Sequence, residues 1–165
     1  MAAKRGKRKN WFTILAPNFF NRIELGKTLS TDPENLIGRK VSASLMDLTN
    51  NFSKYYMKFS FKIKNVQDDK AITEFDGSEC LRDYISRMVL RRMTRIDTIQ
   101  DLMTKDNVKI RVKGLAVIRG RVKSSVKATI RSKIKGLIKD EVENSSLENF
   151  IENIISDKLK NKILK

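Results

Sequence analysis

The chain has 165 residues, 40% of them hydrophobic, and 35 Lys and Arg against 19 Asp and Glu, a formal net charge of +16. That apolar share supports a real core and excludes wholesale disorder, while the charge calls for a polyanion, of which nucleic acid is the usual one. With no His and a single Cys, Cys80, zinc fingers, Cys-His pairs and Ser-His-Asp triads are excluded, so the chain reads as non-enzymatic, with no cofactor, metal or small-molecule substrate.

The chain opens on Lys4, Arg5, Lys7, Arg8 and Lys9 with no acid among them, which predicts a flexible basic arm over 1–10 that lies along phosphates. "WFTILAPNFF" then turns apolar, and Pro17 bars Ala16 from helical continuation, so Trp11 to Phe20 reads as an anchor packed on the domain. Gly26-Lys27-Thr28 mimics the end of a phosphate-binding loop, but Asn21 stands where that motif needs Gly and no strand leads in. Asp32 or Thr31 caps a helix of about one turn, with Pro33 inside it and Gly38 closing it. "GRKVSASLMDL" reads as a strand, joined by Thr49, Asn50 and Asn51 to a clearer one over Lys54 to Lys64. There Tyr55, Met57, Phe59, Phe61 and Ile63 alternate with Tyr56, Lys58, Ser60 and Lys62, one face buried and one basic.

A third strand, Ala71 to Phe75, ends at Asp76-Gly77, and Ser78 caps a helix with Leu81, Tyr84, Ile85, Met88 and Val89 on one face. Away from that face stand Arg82, Arg87, Arg91 and Arg92, followed by Arg95, which suits phosphate binding. Strands over Arg95–Met103 and Val108–Ile118 flank a turn at Thr104 to Asn107, and the second puts Lys109, Arg111 and Lys113 on its wet face. Five strands around one helix predict an α+β fold with a mostly antiparallel, barrel-like core, an inserted helix and C-terminal helices.

Beyond residue 120 the pattern is helical. Val122, Val126, Ile130, Ile134 and Ile138 recur every four residues, beside a basic stripe of Lys123, Lys127, Arg131, Lys135 and Lys139 that drifts slowly around the axis. Arg119 and Arg121 lead into it. Ser145, with Glu148 three positions on, caps a last helix whose apolar face is Leu147, Phe150, Ile151, Ile154, Ile155 and Leu159, for packing or for docking a protein. Residues 1–139 carry a net +18 and residues 140–165 a net −2, so the tail faces solvent or a basic protein neighbour. No window is apolar enough for a membrane span and no secretory signal is readable, which predicts a soluble, cytoplasmic chain with no membrane partner. The expected divisions are an arm at 1–10, an RNA-binding core at 11–120 and a helical region at 121–165.

In order, "NWFTILAP", "LGKTL", "LIGRKVSASLMDL", "FDGSECLRDYISRMV", "MTKDNVKIRVKGLAV" and "ATIRSKIKGLIKDEVENSSLENFIENIISDKL" resemble the archaeal and eukaryotic small-subunit ribosomal protein family S-one-e, also called S-three-A-e. The resemblance implies a structural constituent of the subunit platform, near the 3′ end of the small-subunit rRNA and the mRNA exit. Its partners would be rRNA, neighbouring small-subunit proteins and mRNA near the exit. The short arm and early end favour an archaeal-type member. The family implies no catalytic set, so the expected contacts rest on charge: the arm, the Arg82 to Arg95 group, and Arg119, Arg121, Lys123, Lys127, Arg131 and Lys135. Trp11, Tyr55 and Tyr56 are aromatic candidates for stacking on unpaired bases, though Tyr55 shares the core-facing row of Met57 and Phe59. A transient RNA-binding factor is the rival from another class.

Overall fold

The computed structural model describes residues 8–164 and divides into two compact units, one up to Ile85 and one from Ser86 onward. Five strands build the first unit: β1 Asn10–Leu15, β2 Glu24–Ser30, β3 Lys40–Ser44, β4 Met57–Gln67 and β5 Lys70–Cys80. They lie in the order β2-β1-β5-β4-β3, antiparallel throughout except for the parallel pair β1 and β5. Phe12, Ile14, Leu36, Ile63 and Ala71 form a buried core on one face, with Leu25, Val41 and Val66 packed against it. Phe20 meets Phe59 and Phe61 with ring centroids 5.6 and 5.8 Å apart.

The α+β class holds, but among the described residues no closed barrel forms. β2 and β3 are opposite edges of an open, mixed sheet. Closure needs edge strands able to pair with each other, and β3 stops after five residues because Ser44 turns the chain into a helix, α1 Leu45–Thr49. The Ser44 hydroxyl accepts from the Met46 N–H at 3.3 Å, and Leu45 and Leu48 bury the inner side of the turn. The long strand expected through Leu48 is therefore corrected. Asn50 then closes α1 in the left-handed region.

The segment expected as an anchor is β1, second from the edge of the sheet. Phe12 and Ile14 point inward and Trp11 outward. Pro33–Leu36 is the expected single helical turn, of 3-10 form. β5 does not end at Asp76-Gly77. The backbone bulges opposite Ser60 and Phe61 and pairing runs on to Cys80. Ser78 pairs with Phe59 and caps nothing, so the following helix, α2 Arg82–Met88, has seven residues and none buried. Partial burial in this ladder pushes the Cys80 thiol above its ordinary pKa, in the direction that disfavours the thiolate.

In the second unit β6 Met93–Met103 and β7 Lys109–Arg119 form a hairpin in register along its whole length, close to the expected bounds. One face, from Thr94, Ile96 and Thr98 to Val112 and Ala116, turns toward α3 Ser124–Asn144. This helix is roughly 30 Å long, and only Ile134, Ile138 and Val142 are buried on it. Val126 is exposed and Val122 precedes the helix, so the expected apolar stripe contributes to packing only in its later half. Ser146, not Ser145, caps α4 Leu147–Ile155, accepting from the Asn149 N–H. Phe150 and Ile151 bury that helix's apolar face, which makes it a packing element. The expected last helix is broken at Asp157, whose φ of 56° is left-handed, and resumes as α5 Lys158–Leu164. Leu159 still reaches the same core from α5.

Candidate nucleic-acid interface

Backbone segments that carry basic residues distant in sequence meet at the base of the β6–β7 hairpin. The Gly120 N–H donates to the Arg92 carbonyl at 2.9 Å, the Thr94 hydroxyl donates to the Gly120 carbonyl at 2.7 Å, and Met93 pairs with Arg119. Arg92 and Gly120 both take positive φ, 64° and 92°, so the two chains turn away from the ladder together. These bonds bring Arg91 and Arg92 beside Arg119 and Arg121. All four are exposed, and none has an ion pair among the described residues. Four unneutralised guanidiniums at one corner repel each other, and a phosphate backbone relieves that repulsion with bidentate hydrogen bonds.

The start of α3 adds to this corner. Its N-cap is Lys123, without a side-chain cap, and its first turn holds no acid. Cations beside the positive end of a helix dipole are unfavourable unless an anion joins them. Lys127 lies one turn further along, half-buried.

A second group forms around Asp97. Arg95 Nε donates to both Asp97 carboxylate oxygens, at 2.9 and 3.0 Å, and Arg131 Nε donates to the Asp97 backbone carbonyl at 3.1 Å. Two expected contact residues 36 positions apart are thereby held at one strand, each with guanidinium nitrogens still unused. One turn on, the Lys135 carbonyl accepts from Gln100 Nε2 at 3.2 Å, tying α3 to β6, while the Lys135 side chain is exposed.

The outer face of the hairpin carries more charge than the sequence-based selection named. Arg111 forks onto Asp101 at 2.6 and 2.8 Å, a hydrogen bond that holds the Asp101 carboxyl below its ordinary pKa and raises that of Arg111. Lys109 and Lys113 flank it, exposed and without an ion pair among the described residues. The period-two alternation of β7 was the signal for both.

Other expected residues are not gathered in one place. The arginines do not share one helix: Arg82 and Arg87 lie on α2, Arg91 and Arg92 in the turn after it, and Arg95 on β6. β5 takes up the residues that would have formed the helix's first turn, and the chain leaves helical geometry after Met88. Arg8 and Lys9 are exposed just ahead of β1, and Lys4, Arg5 and Lys7 lie outside the described residues. Gly26, Lys27 and Thr28 are ladder positions on β2 opposite Ile14, Thr13 and Phe12, not a loop before a helix. Among the described residues no group of three or more metal-ligating side chains comes together.

The aromatic candidates separate clearly. Tyr56 stacks on Tyr84 with centroids 4.3 Å apart and planes 11° from parallel. Tyr55 is 44% exposed and precedes β4, which corrects its expected place in the core, because a 3-10 turn at Phe52–Lys54 takes it out of strand alternation. Trp11 is 61% exposed on the open side of the sheet.

Residues 2–165 match the Ribosomal S3Ae family. A relative from Methanothrix thermoacetophila named small ribosomal subunit protein eS1 is 48% identical over 111 residues, covering 67% of this chain and 53% of that protein. Its namesake from Methanopyrus kandleri is 40% identical over 125 residues, 76% of this chain and 59% of its own length. The one from Sulfurisphaera tokodaii is 42% identical over 119 residues, with shares of 72% and 62%. The matched region thus spans less than two thirds of each of these relatives.

Proposed function

The chain belongs to the Ribosomal S3Ae family, and from that premise we propose that it is a structural constituent of the small ribosomal subunit that binds rRNA through phosphate contacts, without enzymatic activity. The observation that carries this reading is the corner of Arg91, Arg92, Arg119 and Arg121, built by backbone bonds between distant segments and left without an internal anion among the described residues. A folded RNA helix hides its major groove and offers phosphates and 2′-hydroxyls, so position and shape decide binding more than base identity.

In the second unit the proposed contacts run from the corner to Lys123 and Lys127 and to Arg87, Arg95, Arg131 and Lys135, and in the first unit Arg82 is a separate proposed contact. The arm of Lys4, Arg5, Lys7, Arg8 and Lys9 follows the backbone. The family resemblance supports a place on the subunit platform near the mRNA exit, which is the location we propose. A neighbouring small-subunit protein with a basic surface faces the exposed acids Asp140, Glu143, Glu148 and Glu152.

Replacing Arg91, Arg92, Arg119 and Arg121 together by Gln is expected to weaken binding to a small-subunit rRNA fragment at least tenfold. The slope of log affinity against log salt should flatten by about 3, one contact's worth for each charge removed. An unchanged slope in a protein with unchanged circular dichroism would reject the corner as the contact.

A further inference from the structure

We propose that Asp97 is a positioning residue for RNA, holding Arg95 with its carboxylate and Arg131 with its backbone carbonyl so that the free ends of both guanidiniums take phosphates of one RNA strand. The inference rests on the rRNA-binding reading and deepens it. An acid on the contact surface gains a part in binding, and the two arginines around it become a built phosphate clamp beside the arginine corner.

β6 alternates, so Thr94, Ile96 and Thr98 are buried while Met93, Arg95 and Asp97 stand on the outer face. The neighbours of Asp97 fix its backbone: Ile96 and Thr98 are 1% and 2% exposed, and the Thr98 hydroxyl donates to the Gly114 carbonyl at 3.3 Å. α3 is tied to the same strand one turn beyond Arg131, where the Lys135 carbonyl accepts from Gln100 Nε2. On this frame both arginines are anchored through Nε, Arg95 to the Asp97 carboxylate and Arg131 to the Asp97 carbonyl. Their terminal nitrogens have no hydrogen-bond partner among the described residues. Those nitrogens form the end-on fork that meets a phosphate, and a long side chain already held in place loses less freedom on binding. Arg95 and Asp97 have side chains 47% and 49% exposed, so their ion pair stabilises the fold little. Its larger consequence is the orientation of the guanidinium.

Register and charge select the occupant. Residues opposite each other on β6 and β7 share a face, so Arg119, paired with Met93, stands on the outer face with Arg95, while Val117 and Leu115, paired with Arg95 and Asp97, add no charge there. The acids of the second unit are engaged or lie elsewhere. Asp97 itself is held by Arg95, and Asp101, two residues on, is forked by Arg111. Asp106 accepts from the Leu147 N–H at the hairpin tip, the opposite end from Met93. α3 has no acid before Asp140, nine residues after Arg131. The acids of α4 follow the α3–α4 junction, whose Ser145 carbonyl accepts from the Lys105 N–H at that same tip. Arg119, Arg95, Arg131 and Lys135 therefore face one carboxylate, that of Asp97, and the repeating phosphates of a nucleic-acid strand are the polyanion such a row fits.

Two substitutions separate positioning from charge. Asp97→Ala and Asp97→Asn remove the same negative charge, but only Asn keeps an oxygen to accept from Arg95 Nε. In anisotropy titrations of a labelled small-subunit rRNA fragment, the full chain carrying Asp97→Ala is expected to bind about 2- to 10-fold more weakly than the one carrying Asp97→Asn, because one long side chain regains its freedom. In an Arg95→Ala background that oxygen has nothing to hold, and the two are expected to bind equally. Arg131→Lys, which keeps the charge but loses the fork, is expected to weaken binding in the same range. Circular dichroism should stay the same throughout, since Arg95, Asp97 and Arg131 are exposed. Equal affinity of Asp97→Ala and Asp97→Asn in the otherwise unaltered chain, or a difference that persists with Arg95→Ala, would overturn the positioning role while leaving the arginine corner intact. Unchanged affinity of Arg131→Lys would overturn the two-arginine clamp. Absence of any RNA binding by the unaltered chain would overturn the rRNA-binding reading and this inference together.

Discussion

Gly114 is where a single atom matters most in the second unit. A Cβ built there would come within 2.5 Å of the Thr98 hydroxyl oxygen and 3.2 Å of Ile138 Cδ1, across the seam between the hairpin and α3. Thr98 and Ile138 are both buried, so neither has room to give. Gly114→Ala is expected to lower stability by about 1–3 kcal/mol, read from the denaturant midpoint. The ion pair of Asp101 and Arg111 makes a different prediction. Because the hydrogen bond from Arg111 depresses the Asp101 pKa in the fold, the pair's contribution is present at neutral pH, above the unfolded value, and fades as pH falls through the depressed value. A carbon NMR titration should find the Asp101 midpoint below the usual 3.8, and Arg111→Gln should return it toward that value. Neither effect was legible in the sequence. The Gly114 contact depends on how closely a helix approaches a strand, and the pairing of Asp101 with Arg111 on a hairpin register that spacing alone only suggests.

Elements whose pattern answers to a single packing surface were the legible ones. β6 and β7 have one face on α3 and one in water, so period two runs through both with few exceptions, and their turn fell at Thr104 to Asn107 as expected. β1 and β2 escaped detection for opposite reasons. β1 mixes a buried row with an exposed Trp and is followed by Ala16 and Pro17, so it resembles an undifferentiated apolar run. β2 is an edge strand whose single buried residue is Ser30, which leaves almost no alternation to read. In α3 the four-residue repeat is real, but burial begins only at Ile134 because the earlier turns extend past the core. Ile138→Ala is therefore expected to cost about 2–4 kcal/mol of stability, while Val126→Ala, in the same repeat, stays within about 0.5 kcal/mol. Equal losses at the two positions in chemical denaturation would contradict this division of the helix into a packed half and a presented half.

Across the whole molecule, composition and charge indicated a folded polyanion binder, and the ordered motifs indicated the family, because both survive any error in placing individual strands. The arrangement of the contact residues did not survive so well. The four arginines expected on one helix are divided between α2 and the turn after it, and the corner that unites Arg91 and Arg92 with Arg119 and Arg121 exists only because the hairpin returns the chain to its own beginning. Long-range pairing, which no local pattern encodes, thus determines which charges act together. The net −2 of residues 140–165 has a similar explanation in part, since Glu141 is occupied within the helical layer by Asn153 and Lys162, while the remaining acids on α3 and α4 are exposed.

The central claim, that these basic surfaces hold the chain in the small ribosomal subunit, is tested most directly by sedimentation. The tagged protein would be expressed in its native cells and the ribosomal subunits resolved on a sucrose gradient in high salt. Retention with the small subunit at about one copy each is the expected result. Release to the top of the gradient would contradict it and leave a transient RNA-binding factor as the explanation of the same charge.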